Sequence, residues 1–300
     1  MNTHFDTNDK GLSVVVRFHD VRRLRELDRA IFSLTMQHYR PLHIHLCLQR
    51  FSKAEIAATK AKLDPILAIN GAPSLNIHNW IEPEPIDARS ILINLGVSNI
   101  QTRYLAFLDY DDVLYPEAYE LLIRQLQASR SVVCFGRIGL KTYTNYANFD
   151  YAESKSFPFQ GTSVLELMRG NFCPIHSFVV DTKKVSRHIL FFDPTINRNE
   201  DYDFLLRLVA KYPSDFSLIE TFIGEYYIKR DGSNTILTEY AATPEAVQAW
   251  DDAECFVEGR RRSTMVSEEV QRSLGIAQPS PRLTIRRLLD SYAELKAIPA

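Results

Sequence analysis

The sequence predicts an α/β protein: a mainly parallel central sheet, Rossmann-like in arrangement, flanked by helices and followed by a C-terminal helical extension. Three observations predict it. Short apolar runs rich in β-branched residues alternate with stretches of helical periodicity over residues 12–229. The length of 300 residues, with 45% hydrophobic content, suffices for one large domain and an appendage. One apolar run ends in a cluster of aspartates, and in open α/β sheets ligands bind beyond the carboxyl ends of the strands.

Leu12-Ser13-Val14-Val15-Val16 has the continuous apolar character of a buried parallel strand, and Arg17-Phe18-His19-Asp20 breaks it. Residues 22–38 carry Leu24, Leu27, Ile31 and Leu34 at helical spacing, with Pro41 just beyond the end. Strands are then expected over 42–48, 74–80 and 104–108, separated by helices over 53–69 and 87–100. A helix over 116–129 and a strand over 132–135 continue the pattern. Residues 139–161 are aromatic and polar without a clear period and read as a loop or lid. A strand over 178–180, a helix over 201–211 and a strand over 222–229 follow, before the turn Asp231-Gly232-Ser233-Asn234. Beyond that, helical stretches cover 244–262, 267–274 and 282–295. The expected organisation is a polar leader (1–11), the α/β domain (12–235) and the helical extension (236–300).

Lysine and arginine (35) nearly balance aspartate and glutamate (37), so there is no global positive field to attract nucleic acid. Cys47, Cys134, Cys173 and Cys255 lack C-x-x-C spacing, which points to free thiols rather than a zinc knuckle or redox pair. The leader has neither the basic start nor the apolar run of a signal peptide, and no run is long enough to span a membrane. A cytoplasmic location is expected. In the tail, Arg260-Arg261-Arg262, and Leu283, Ile285, Leu288 and Leu289 among Arg282, Arg286 and Arg287, could lay a helix on the inner face of an anionic membrane or on a second copy. Packing on the protein's own domain is the alternative.

Asp109, Asp111 and Asp112 repel one another at the end of an apolar strand, a repulsion that a cation offsets. Oxygen ligands imply Mg²⁺ or Mn²⁺, held by one or two carboxylates and sharing its other positions with phosphates and water. The alternative is a solvated turn in which Asp111 or Asp112 caps the helix beginning near Pro116.

The segment Arg103-Tyr104-Leu105-Ala106-Phe107-Leu108-Asp109-Tyr110-Asp111-Asp112 resembles the donor-binding signature of glycosyltransferase family 2, with its GT-A fold. Other segments fall in the family's order: Val14-Val15-Val16-Arg17-Phe18-His19-Asp20, Tyr39-Arg40-Pro41-Leu42-His43-Ile44, Asp87-Ala88-Arg89 with Asn94-Leu95-Gly96, and Asn199-Glu200-Asp201-Tyr202-Asp203. The resemblance implies inverting transfer of a sugar from a nucleotide-diphosphate sugar to a hydroxyl of a glycan or glycolipid. Cell-surface polysaccharide or lipopolysaccharide synthesis is the implied setting. Asp201 is the implied base, with Glu200 as neighbour or substitute, and Asp111 with Asp109 the implied ligands of Mn²⁺ or Mg²⁺. Arg17, His19, Asp20, Gln49, Arg89, Asn94, Asp109, Tyr110, Asp111 and Arg230 are expected around the donor, Arg230 or Lys229 closing over the diphosphate, and His176 near the acceptor. Aromatic residues between Tyr143 and Phe159 could stack on sugar rings.

The chain departs from the family pattern twice. Leu48-Gln49-Arg50 stands where an acidic pair usually holds base and ribose, and Arg17 stands where the first loop usually has proline. Two other readings remain: a non-catalytic carbohydrate- or nucleotide-binding protein of the same fold, or a phosphohydrolase of the haloacid dehalogenase type with an aspartate nucleophile at the D-x-D.

Overall fold

The computed structural model describes residues 10–84, 86–146, 148–229 and 243–297. The first half alternates strand and helix: β1 (Leu12–Phe18), α1 (Leu24–Thr35), β2 (Leu42–Gln49), α2 (Lys53–Leu67), β3 (Ser74–Trp80), α3 (Arg89–Asn99) and β4 (Tyr104–Asp109). Then come β5 (Val113–Leu114), α4 (Ala118–Ala128), β6 (Val133–Asn145), β7 (Asp150–Ser156), α5 (Val164–Arg169) and β8 (Phe178–Asp181). The chain continues through α6 (Glu200–Lys211) and β9 (Ser214–Lys229) to α7 (Pro244–Ser263), α8 (Glu268–Ser273) and α9 (Ile285–Ala297). Local chemistry sets several of these starts. At α2, the Ser52 hydroxyl accepts from the Glu55 amide while Glu55 accepts from the Ser52 amide, a reciprocal cap.

The strands form one mixed sheet in the order β3-β2-β1-β4-β8-β6-β9-β5, with β7 pairing on β6. β3, β2, β1 and β4 are parallel; β8 then runs antiparallel between β4 and β6, and β9 runs parallel to β6. Alternate residues of β1 and β4 feed two cores. Val14, Val16, Ala106 and Leu108 pack with Leu27, Ile31 and Leu122 of α1 and α4. Val15 and Phe107 point to the other side, into a core that also holds Val97, Phe204 and Leu208 of α3 and α6 and extends to Val257 and Leu288 of α7 and α9. Gly96 lets α3 close onto β1: a Cβ there would lie 2.4 Å from Val15 Cγ1.

The segment expected as a loop or lid is largely a β-hairpin, with β6 running on to Asn145 and pairing with β7. Polar residues such as Lys141, Thr142, Glu153 and Lys155 occupy both strands, so backbone pairing rather than apolar alternation defines them. β9 begins at Ser214, well before the expected 222, and shifts register against β6 three times between Cys134 and Ile138. The apolar row of α9 expected to meet a membrane or partner is buried within the protein: Ile285, Leu288 and Leu289 join the core. Among the described residues no helix is long and apolar enough to cross a membrane. Cys47, Cys134 and Cys173 are buried and Cys255 exposed, all four as free thiols.

Candidate active site

The carboxyl ends of β1, β2 and β4 and the start of α6 open onto one cleft with two lobes. The first, a cavity of about 370 Å³, is lined by His19, Arg23, Gln49, Tyr110 and Asp111 among others. The second, of about 340 Å³, is lined by Glu200, Asp201, Arg198, Phe159 and Trp250. Arg17, Arg89, Asp109 and Tyr226 belong to both and form the junction.

The centre of that junction follows from strand register. Arg17 and Asp109 are opposed in the parallel ladder of β1 and β4, so their side chains share a face. Arg17 Nε lies 2.6 Å from Asp109 Oδ1 and Nη2 lies 3.0 Å from Oδ2, while Nη1 reaches Glu200 Oε1 at 2.7 Å. One guanidinium thus satisfies two carboxylates. Burial alone would raise the Asp109 carboxyl, but the Arg17 charge and hydrogen bonds outweigh it and hold the group below the usual range. Burial would likewise lower the Arg17 pKa, and the two carboxylates push it well up instead.

Asp201 sits in the first turn of α6, entered through Asn199 in a left-handed conformation (φ 57°). The helix N-terminus favours negative charge there. Burial, reinforced by the neighbouring Glu200 charge, nevertheless raises the Asp201 carboxyl to about 7. Glu200 is ion-paired with Arg17 at 2.7 Å, whereas no described cation stands within ion-pair distance of Asp201, whose carboxyl the Arg17 charge lowers only in part. A carboxylate near pH 7 beside a cleft is suited to accept a proton from an alcohol.

Asp111 lines the first lobe. Its Oδ2 lies 3.6 Å from Lys229 Nζ, and Lys229 itself is buried and ion-paired with Glu26 at 3.0 Å. Burial raises the Asp111 pKa, with the Lys229 charge opposing. Asp112 turns away from the cleft: its Oδ1 accepts from the Tyr227 amide and its Oδ2 is 3.2 Å from His176 Nδ1.

Several residues expected at the site do other work. His176 is 1% exposed, stacks near Tyr226 and faces Asp112, so it does not reach an acceptor; its burial lowers its pKa to about 4. Asn94 clamps backbone: its amide donates to the Phe192 carbonyl and its oxygen accepts from the Phe192 amide, both at 2.8 Å. Asp20 caps the short turn Val21–Arg23 and pairs with Arg22 and Arg23, and it is not among the residues lining the first lobe. Asp109 as a metal ligand is set aside because Arg17 takes both its oxygens. Gln49 does line the first lobe, but donates to Glu82 and to the Ile86 carbonyl. Arg89 lines both lobes while paired with Asp87 at 2.9 Å. His19 meets Tyr110 edge-on at 5.7 Å, and burial lowers its pKa. Arg230 and the turn after it lie outside the described residues. Arg23, Arg198, Tyr226 and Trp250 were not anticipated. Arg23 is legible as the basic residue ending the loop after β1, whereas the others depend on long-range packing.

Residues 88–188 match the family described as Glycosyl transferase family 2. The match covers α3 to β8 and so includes the D-x-D strand. No curated protein sequence matches the chain. Among solved structures, the S. aureus TarS fragment 1-349 in complex with UDP aligns over 89% of this chain and 70% of that one, with 11% identity and a TM-score of 0.55. The same fragment with UDP-GlcNAc gives 89%, 70%, 11% and 0.54. A longer TarS chain gives 85%, 44%, 13% and 0.51. At such identities the likeness is one of fold, and it is the α/β GT-A fold that the sequence predicts.

Proposed function

We propose that this chain, whose residues 88–188 match the family 2 glycosyltransferase model, moves a sugar, with inversion, from a nucleoside-diphosphate sugar to the hydroxyl of a glycan or glycolipid. The observation that carries the reading is Asp201, a carboxylate raised to about 7 in the lobe adjoining the Arg17–Asp109 junction. The acceptor oxygen forms its bond to the anomeric carbon as the bond from that carbon to the diphosphate oxygen breaks. The acceptor proton passes to Asp201, and the nucleoside diphosphate departs with the electron pair. Arg17 and Glu200 keep the neighbouring charge fixed during that transfer.

The first lobe is the donor side in this reading, with Arg89 at its junction and His19, Gln49, Tyr110 and Asp111 on its walls. The UDP and UDP-GlcNAc complexes of TarS support a uridine nucleotide as the first donor to test. Among the described residues no three His, Cys, Asp or Glu side chains converge as a metal cage. A Mg²⁺ or Mn²⁺ ion would fit Asp111 as a single protein ligand completed by donor phosphates and water. Bound there, it would supply charge to offset the leaving diphosphate. The phosphohydrolase reading is disfavoured because Arg17 occupies both oxygens of Asp109, the aspartate it needs as nucleophile. Cell-surface polysaccharide synthesis at the inner face of a membrane is the proposed setting.

Calorimetric titration with UDP-, GDP- and dTDP-sugars, with and without Mn²⁺, tests the reading. Binding of one donor that strengthens with metal and weakens at least tenfold in Asp111→Ala is expected. Absence of binding to all of them rejects it and favours a protein that keeps the fold without turnover.

A further inference from the structure

The lobe that holds Asp201 continues into a larger cleft of about 1100 Å³ between α7, α9 and the end of α5, sharing Asn171, Asn199 and Trp250 with it. Its walls are dominated by guanidinium groups: Arg169, Arg261, Arg262 and Arg286. One carboxylate, Glu258, serves three of them. It accepts from Arg262 Nε at 2.9 Å and Arg286 Nε at 2.8 Å, and stands 3.5 Å from Arg261 Nη1. Arg169 is exposed, and no described carboxylate pairs with it. Glu254 is the other acid on the wall and Asp290, off it, lies 3.7 Å from Arg286 Nη1, so the four guanidinium groups outnumber the carboxylates beside them.

This imbalance differs from an ordinary solvated surface. Arg261 is fixed by the Met168 and Arg169 carbonyls and the Tyr202 hydroxyl, Arg262 and Arg286 converge on the one carboxylate of Glu258, and Arg169 stands exposed beside them. Forked guanidinium donors gathered in a concavity favour a planar or tetrahedral oxyanion. Trp250 lies where this cleft meets the Asp201 lobe and lines both.

We propose that this cleft is the acceptor subsite and that the acceptor is an anionic glycan, bearing phosphate-ester or carboxylate groups. Its charged units lie among Arg169, Arg262 and Arg286, and its chain passes Trp250 to present a hydroxyl at Asp201. The proposal rests on the glycosyl-transfer reading and names the acceptor class for it.

The chain has two tryptophans, so Trp80→Phe leaves Trp250 as the only tryptophan, read by selective excitation at the red edge of its absorption. In that background, the full-length protein is titrated with a neutral maltotriose, a phosphorylated maltotriose and a trigalacturonate, at low and high salt. At least one anionic trisaccharide is expected to bind tenfold or more tightly than the neutral one, with the advantage shrinking at high salt. The phosphorylated and carboxylated arms tell the two sources of charge apart. The double substitution Arg169→Gln, Arg262→Gln, at two exposed positions, is expected to remove the preference and leave UDP-sugar binding unchanged. Equal binding of neutral and anionic trisaccharides, or a preference that survives the double substitution, overturns the proposal. Donor binding without any anion preference sinks this inference alone; anion preference without donor binding sinks the transferase reading and, with it, the assignment of the cleft to an acceptor.

Discussion

Arg17 on β1 and Asp109 on β4 face each other in register and meet in a two-pronged ion pair, and the remaining arm of the same guanidinium holds Glu200 at the start of α6. A single cation therefore ties the sheet to the helix that carries Asp201. Arg17→Gln leaves two largely buried carboxylates without their counter-charge, at an expected cost of roughly 3 kcal/mol at neutral pH. In the native protein Asp109 has a depressed pKa, so its contribution is present above the unfolded value and fades as pH falls through the folded one. The variant should reverse this and lose less stability, or gain some, on acidification. Urea denaturation at pH 7 and pH 4 measures both; equal penalties at the two pH values would contradict the assignment.

Asp201 carries a prediction of opposite sign. Its folded pKa is raised to about 7, so the stability it contributes is complete below the unfolded value and is lost as pH climbs towards 7. Asp201→Asn removes that loss. The variant should therefore gain about 1–3 kcal/mol relative to the native protein between pH 4 and pH 8. Its transfer rate should fall by a factor on the order of 10²–10⁴, while native activity rises with pH through about 7. A variant that keeps its activity, or a native rate already flat at pH 5, removes Asp201 from the role of base.

Asn94→Ala separates a clamp from a ligand. It strips the partners from the amide and carbonyl of Phe192, at an expected cost of about 1–3 kcal/mol. Donor affinity in calorimetry should stay within twofold of native at a temperature where the variant is folded. A tenfold loss would restore Asn94 to the donor site.

Gly96→Val tests the contact of α3 with β1. A Cβ at this position meets Val15 Cγ1 at 2.4 Å and Cγ2 at 2.8 Å, so helix or strand has to move. The expected penalty is about 1–3 kcal/mol in thermal unfolding. Because Arg17 lies two residues beyond Val15 on the same face of β1, donor binding should weaken as well. Native-like stability and affinity together would show that the contact is slack.

The strands and helices of the first half were legible because each buries a continuous or periodic apolar face, as at Val14-Val15-Val16 and Leu24, Leu27 and Ile31. The hairpin of β6 and β7 was hidden, since β7 is polar and largely exposed and the half of β6 that pairs with it mixes Lys141, Thr142 and Thr144 with Tyr143, leaving no apolar rhythm. At the site, the order of motifs placed Asp111 and Asp201 on one cleft. The departure at Arg17 was visible, but its meaning depends on a register linking residues 92 apart in sequence. His176 and Asn94 misled for a related reason: each is a polar residue in a site-bearing segment whose partner, Asp112 or Phe192, is revealed only by packing. Trp250 reaches the cleft through the docking of α7, which no local pattern encodes.

The distribution of thiols has a practical consequence. Burial pushes the Cys47 thiol up to about 12 and the Cys134 and Cys173 thiols upward as well, leaving all three protonated and shielded at neutral pH. Cys255 is exposed and lines the arginine-walled cleft. A mild alkylating reagent should therefore mark one position, and the rate of marking becomes a footprint: any molecule that settles between α7 and α9 slows it. The native chain thus carries its own occupancy gauge, readable by mass spectrometry without an engineered label.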